Sequence, residues 1–174
     1  MSKILAVLLI VLMLTGCTGT ESYETMQDTV QVQRPAEKME VLLNLPADAS
    51  QQVMSGEENG QIYFCQDYVL TVETVESGDL QKTFLSATGF TPDQLSVMET
   101  RQGDATRYSC VWTAAGENGD QIGRCAILDD GNYHYVLTAM ADAELAGELT
   151  EGAWRGIFNS FRLIDPEDLV DSGS

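Results

Sequence analysis

The chain has 174 residues, 44% of them apolar, which suits a single packed domain. It carries 27 Asp and Glu against 9 Lys and Arg, a formal net charge of −18. That balance excludes the basic footprint nucleic acid binding needs and disfavours contact of the body with anionic lipid headgroups; its plain consequence is solubility.

The first element in chain order is a leader. Lys3 gives it a positive start and residues 4–14 are an apolar run. That run is too short to span a bilayer, which takes about 20 apolar residues. Thr15 and Gly16 are small, and Leu14-Thr15-Gly16-Cys17 resembles the lipobox of bacterial prolipoproteins. The resemblance implies that residues 1–16 are a signal peptide and that Cys17 becomes the first residue, carrying a thioether-linked diacylglyceryl group and palmitate. Two acyl chains hold stably where one holds marginally, at about 0.8 kcal/mol per buried CH₂. The implied location is the extracytoplasmic face of the cell membrane. The membrane is then a partner through the anchor, and an envelope protein is a second one.

Residues 17–37 are polar, rich in Thr, Glu and Gln and broken by Pro35, which reads as a flexible tether. As a coil it spans about 25 Å root-mean-square. The body is expected over residues 38–164, with residues 165–174 an acidic tail.

Within the body, residues 39–45 read as a short strand stopped by Pro46, and residues 47–60 as a polar loop. Residues 61–75 read as one long strand, alternating clearly at its end. Asp79 is placed to cap a helix holding Leu80, Phe84 and Leu85 that ends at Gly89. Thr91-Pro92-Asp93-Gln94 has a capping box and a proline at the first helical position, for one turn or more. A meander follows: strands at 95–101, 106–114, 121–128 and 132–140, joined at Gly103, at residues 116–119, and at Asp130-Gly131, a type I′ hairpin signal. Thr150 is placed to cap a last helix through Ser160, whose Trp154, Ile157, Phe158 and Phe161 share one face, and residues 161–164 run out as a strand.

Helices segregated from consecutive hairpins give an α+β fold, an antiparallel sheet of about five to seven strands with helices packed on one face. This order, with the closing Ile157-Phe158-Asn159-Ser160-Phe161-Arg162-Leu163, resembles the Mog1/PsbP-like fold found in small bacterial lipoproteins. Families with that fold have varied roles, so the resemblance assigns no functional residue.

Of the 4 cysteines, Cys65, Cys110 and Cys125 remain after lipidation. If residues 116–119 form a four-residue loop, Cys110 falls opposite Cys125. Opposed residues lie about 4.5–5.5 Å apart at Cα, within the roughly 4.4–6.8 Å a disulfide needs. A Cys110–Cys125 disulfide is therefore expected, closing a loop of about 15 residues for about 3 kcal/mol. Two reduced thiols, or a bond to Cys65, are the alternatives; Cys65 otherwise reads as a small buried hydrophobe.

His134 is the sole histidine, too few for a histidine zinc site, and reads as structural. No nucleophile elbow, phosphate loop or dinucleotide fingerprint is present. Asp129-Asp130-Gly131-Asn132 and Glu57-Glu58-Asn59 lack calcium-loop spacing and read as turns. Tyr108 with Trp112, and Tyr133 with Tyr135, read as core more than as glycan platforms. No cofactor, metal site or catalytic set is assigned. The expected role is non-enzymatic, a binding or accessory module of the envelope. A small-molecule or glycan-binding lipoprotein and a hydrolase built from acids and His134 are the alternatives.

Overall fold

The computed structural model describes residues 37–52, 60–116 and 119–165. The leader, Cys17, the tether to residue 36, Glu57-Glu58-Asn59 and the tail from residue 166 lie outside the described residues.

Nine strands and three α-helices are described: β1 (Glu40–Leu42), β2 (Ser50–Gln52), β3 (Gly60–Phe64), β4 (Tyr68–Glu76), α1 (Leu80–Thr88), β5 (Met98–Gln102), β6 (Ala105–Gly116), β7 (Gly119–Asp129), β8 (Tyr133–Asp142), α2 (Ala146–Glu151), α3 (Ala153–Ser160) and β9 (Arg162–Ile164). Seven strands make one antiparallel sheet, in the order β2-β3-β4-β8-β7-β6-β5. The meander β5–β8 folds by consecutive hairpins, and β4 joins it by pairing with β8. β1 leaves that sheet and pairs antiparallel with β9 alone. The α+β class and the antiparallel sheet are those the sequence pattern implies.

Strand alternation gives the sheet two buried faces. On one, Leu70, Ala126, Leu128, Leu137 and Ala139 pack under Trp154, Ile157 and Phe158 of α3 and under Phe161. On the other, Cys110, Trp112, Cys125, Ile127 and Val136 pack under Phe84 of α1. Helices therefore cover both faces, not one as expected, because the connection from β4 to β5 must cross the sheet to reach its far edge and carries α1 with it. The stripe on α3 is core, as its spacing predicts; Trp154 and Phe158 are fully enclosed.

Local signals explain several elements. The Asp79 carboxylate accepts from the Gln81 N–H at 3.0 Å, and α1 closes on Gly89 at φ +79. Thr91 and Gln94 form the expected capping box around one 3₁₀ turn. Elsewhere the structure departs from the pattern. Residues 61–75 are not one strand but β3 and β4, which turn at Gln66-Asp67; the Asp48 carboxylate holds the turn by accepting from the Gln66 N–H at 2.9 Å. The loop expected over 47–60 contains the edge strand β2. Thr150 does not cap a helix; its hydroxyl donates to the Ala146 carbonyl within α2, and the chain breaks at Gly152 before α3. The loop at Asp130-Gly131 joins paired Asp129 and His134, so four residues turn it, with positive φ at Gly131 alone among its residues. A type I′ turn is absent; the Asp130 carboxylate instead gathers the N–H groups of Asn132 and Tyr133.

Candidate functional site

Because β1 leaves the main sheet, it stands over the face of β3 and β4 and leaves a groove between them. Met39, Val41, Leu43 and Leu45 form its wall, and Gln61, Tyr63, Val72 and Thr74 its floor. Lys38 and Glu40 stand at its rim, and its volume is about 340 Å³, within the range of small-ligand clefts. The wall is fixed at both ends. The Met39 N–H donates to the Tyr135 hydroxyl at 2.8 Å, and the Asn44 N–H donates to Ser160 Oγ at 2.9 Å. Tyr135 in turn donates to Asp130 at 3.0 Å, and burial pushes its pKa up, so it holds its proton. Tyr63 donates to Gln61 Oε1, and burial pushes its pKa up too. The Lys38 ammonium lies 5.6 Å from the centre of the Tyr133 ring. The groove thus has one aliphatic wall, a floor of mostly neutral hydrogen-bonding groups, and both charge signs at the rim.

His134 is nowhere near it. The imidazole lies on the other face, 1% exposed under α1. Nδ1 is 2.8 Å from Thr83 Oγ1, while Nε2 is 3.5 Å from Ser77 Oγ and 3.7 Å from Asp129 Oδ2. Hydroxyl, imidazole and carboxylate are the ingredients of a hydrolytic set, but the hydroxyl belongs to the helix that seals the ring. A reacting carbonyl needs open space beside the nucleophile. The arrangement pins α1 to the sheet instead. Among the described residues, no group of three or more His, Cys, Asp and Glu side chains is placed to hold a metal ion.

The cysteine register is as read from the loop: Cys110 and Cys125 are direct partners across β6 and β7. Both are buried, and both are free thiols in this structure, so the expected disulfide is not formed in it. Their contact lowers the Cys110 pKa and, together with burial, raises that of Cys125. Cys65 sits at the β3–β4 turn, half-buried and hydrogen-bonded to Tyr68, and burial pushes its thiol up. Of the aromatic pairs, Trp112 and Tyr135 are core side chains, while Tyr108 and Tyr133 are half-buried.

A solution structure of cyanobacterial PsbP from Synechocystis superposes with a TM-score of 0.54 at 12% identity, covering 71% of this chain and 86% of that one. The fold is Mog1/PsbP-like. The Ran-binding protein Mog1p of Saccharomyces cerevisiae gives a TM-score of 0.48 at 11% identity, over 73% of this chain and 92% of that chain. A crystal structure from Bacteroides thetaiotaomicron gives 0.49 at 10% identity over 73% of this chain, which spans 46% of that longer chain. No protein-family model matches the chain, and no curated protein matches it. At such identities the likeness is one of fold. Among the described residues, no helix is long and apolar enough to cross a membrane.

Within this Mog1/PsbP-like frame, the groove is what sequence reading misses. Its signal, alternating Met39, Val41 and Leu43, is legible as a strand. That the strand pairs with the far C-terminus, 122 residues away by the Val41–Leu163 pairing, is not.

Proposed function

We propose that this protein is a lipid-anchored envelope lipoprotein, held on the extracytoplasmic face through Cys17, whose Mog1/PsbP-like domain binds a ligand without chemical conversion. The groove beside β1 carries the binding reading: an open, apolar-walled cleft held at both ends by hydrogen bonds to Tyr135 and Ser160. The leader residues Leu14-Thr15-Gly16-Cys17 carry the anchoring reading. Aliphatic walls, a neutral floor and a net charge of −18 favour a neutral or cationic amphipathic ligand and disfavour an anionic one. The hydrolase alternative loses its histidine to the α1 contact, and the glycan alternative loses Trp112 and Tyr135 to the core.

A photocrosslinking side chain placed at Leu45, 40% exposed on the groove wall, tests this in intact cells; one at Leu85, 50% exposed on α1, is the control. Discrete adducts at Leu45 and none at Leu85 are expected. Equal labelling at both positions, or none at Leu45, contradicts the groove as the binding site.

A further inference from the structure

We propose that Cys110 and Cys125 are a modification site, closing as a structural disulfide that staples β6 to β7 once the chain has left the cytoplasm. Three observations converge. The two residues are direct cross-strand partners, in a run of pairings unbroken from Thr106–Asp129 to Gly116–Gly119. Opposed strand positions lie about 4.5–5.5 Å apart at Cα, inside the roughly 4.4–6.8 Å window of disulfides, so no register shift is needed. Both are buried free thiols in the same cluster beneath Phe84. Cys65 is excluded as a partner by its place at the β3–β4 turn, since β4 and β8 intervene between β3 and the hairpin.

The chemistry is thiol–disulfide exchange with a disulfide-bearing oxidant, either an envelope oxidase or oxidised glutathione. Cys110, the less deeply buried of the two, enters as the thiolate. It attacks one sulfur of the oxidant; the oxidant's S–S bond breaks and its other sulfur leaves as a thiol, taking the proton. Cys125 then attacks the mixed disulfide at Cys110, loses its proton, and releases the second thiol. Two cysteine thiols become one disulfide, and the oxidant takes up two electrons and two protons. Phe84 of α1 covers the pair in the folded domain, so the exchange precedes docking of α1 and the finished bond is shielded from reductants. Only the choice of compartment rests on the envelope reading.

Trypsin separates the two cysteines, cutting after Arg107, Arg124 and Arg155. Full-length protein is refolded in oxidised and reduced glutathione, alkylated and digested without reduction; protein taken from membranes is treated in parallel. The expected product in both is a linked pair of peptides, 108–124 with 125–155, with Cys65 alkylated and two hydrogens lost. Dithiothreitol should lower the urea midpoint of the wild type and leave that of Cys110→Ser unmoved. A Cys65 crosslink, or free Cys110 and Cys125 in both preparations, overturns the pair. Linked peptides after refolding but free thiols in the membrane preparation overturn closure in the cell and count against the compartment, while the geometry stands. The wild-type comparison with and without reductant does not depend on any variant folding.

Discussion

Gly123 and Trp112 are paired across β7 and β6, and the indole occupies the space a side chain at position 123 would need. A Cβ at position 123 would sit 2.2 Å from Trp112 Cζ2, so this glycine is required by its neighbour and not by its backbone. Gly123→Ala should displace the ring and cost about 2–3 kcal/mol, as overpacking of a core does. Urea unfolding followed by tryptophan emission checks it; a stability within about 0.5 kcal/mol of wild type, the range of inert surface changes, would contradict the packing. Arg107 shows the same dependence on distant residues. Its guanidinium donates to the carbonyls of Phe158 at 2.8 Å and Phe161 at 3.1 Å, acceptors without helical partners at the end of α3, and to Gln102 at 2.9 Å. Arg124 stacks on Phe158 at 4.5 Å. Nothing in the sequence near positions 107 or 124 announces these duties, because the helix end they serve lies some 50 positions away at the Arg107–Phe158 contact.

Among the elements, α1 was legible in full: a cap at Asp79, a buried Phe84 and a left-handed Gly89 are local chemistry, and local chemistry survives into the fold. The β6–β7 register was legible for the same reason, since a short loop leaves one way to count outward. The break between β3 and β4 was not. Gln66-Asp67 carries no glycine or proline, the alternation runs through it, and its stabilising partner Asp48 lies in a different loop. The break at Gly152 was hidden similarly, Thr150 spending its hydroxyl inside α2. What α1 does on the sheet also required the fold. The bond between Thr83 and His134 makes the sole histidine a docking contact. Thr83→Val keeps the shape, removes the hydroxyl and leaves a buried ring nitrogen without that partner. It should cost about 1–3 kcal/mol and speed amide exchange in α1 ahead of β7 and β8. Unchanged protection of α1 would contradict the docking role.

At the scale of the whole molecule, burial raises the pKa of four tyrosines, Tyr63, Tyr68, Tyr108 and Tyr135, above the ordinary 10.0. The folded state keeps their protons where the unfolded state releases them. Their contribution is therefore fully present below pH 10 and is lost as the pH rises beyond it. Urea titrations between pH 8 and 11 should show stability falling most steeply past about 10, the tyrosine reference value. A profile flat to pH 11 would contradict the burial of these hydroxyls. Strongly acidic, with its main sheet packed on both faces, the domain offers its groove beside β1. The proposed place at the membrane rests on lipid at Cys17. Metabolic labelling with an alkyne-tagged palmitate, read beside membrane partitioning, tests it most directly. Label on the wild type, and loss of both label and membrane retention in Cys17→Ala, is the predicted result; an unlabelled wild type that partitions like the variant would contradict it.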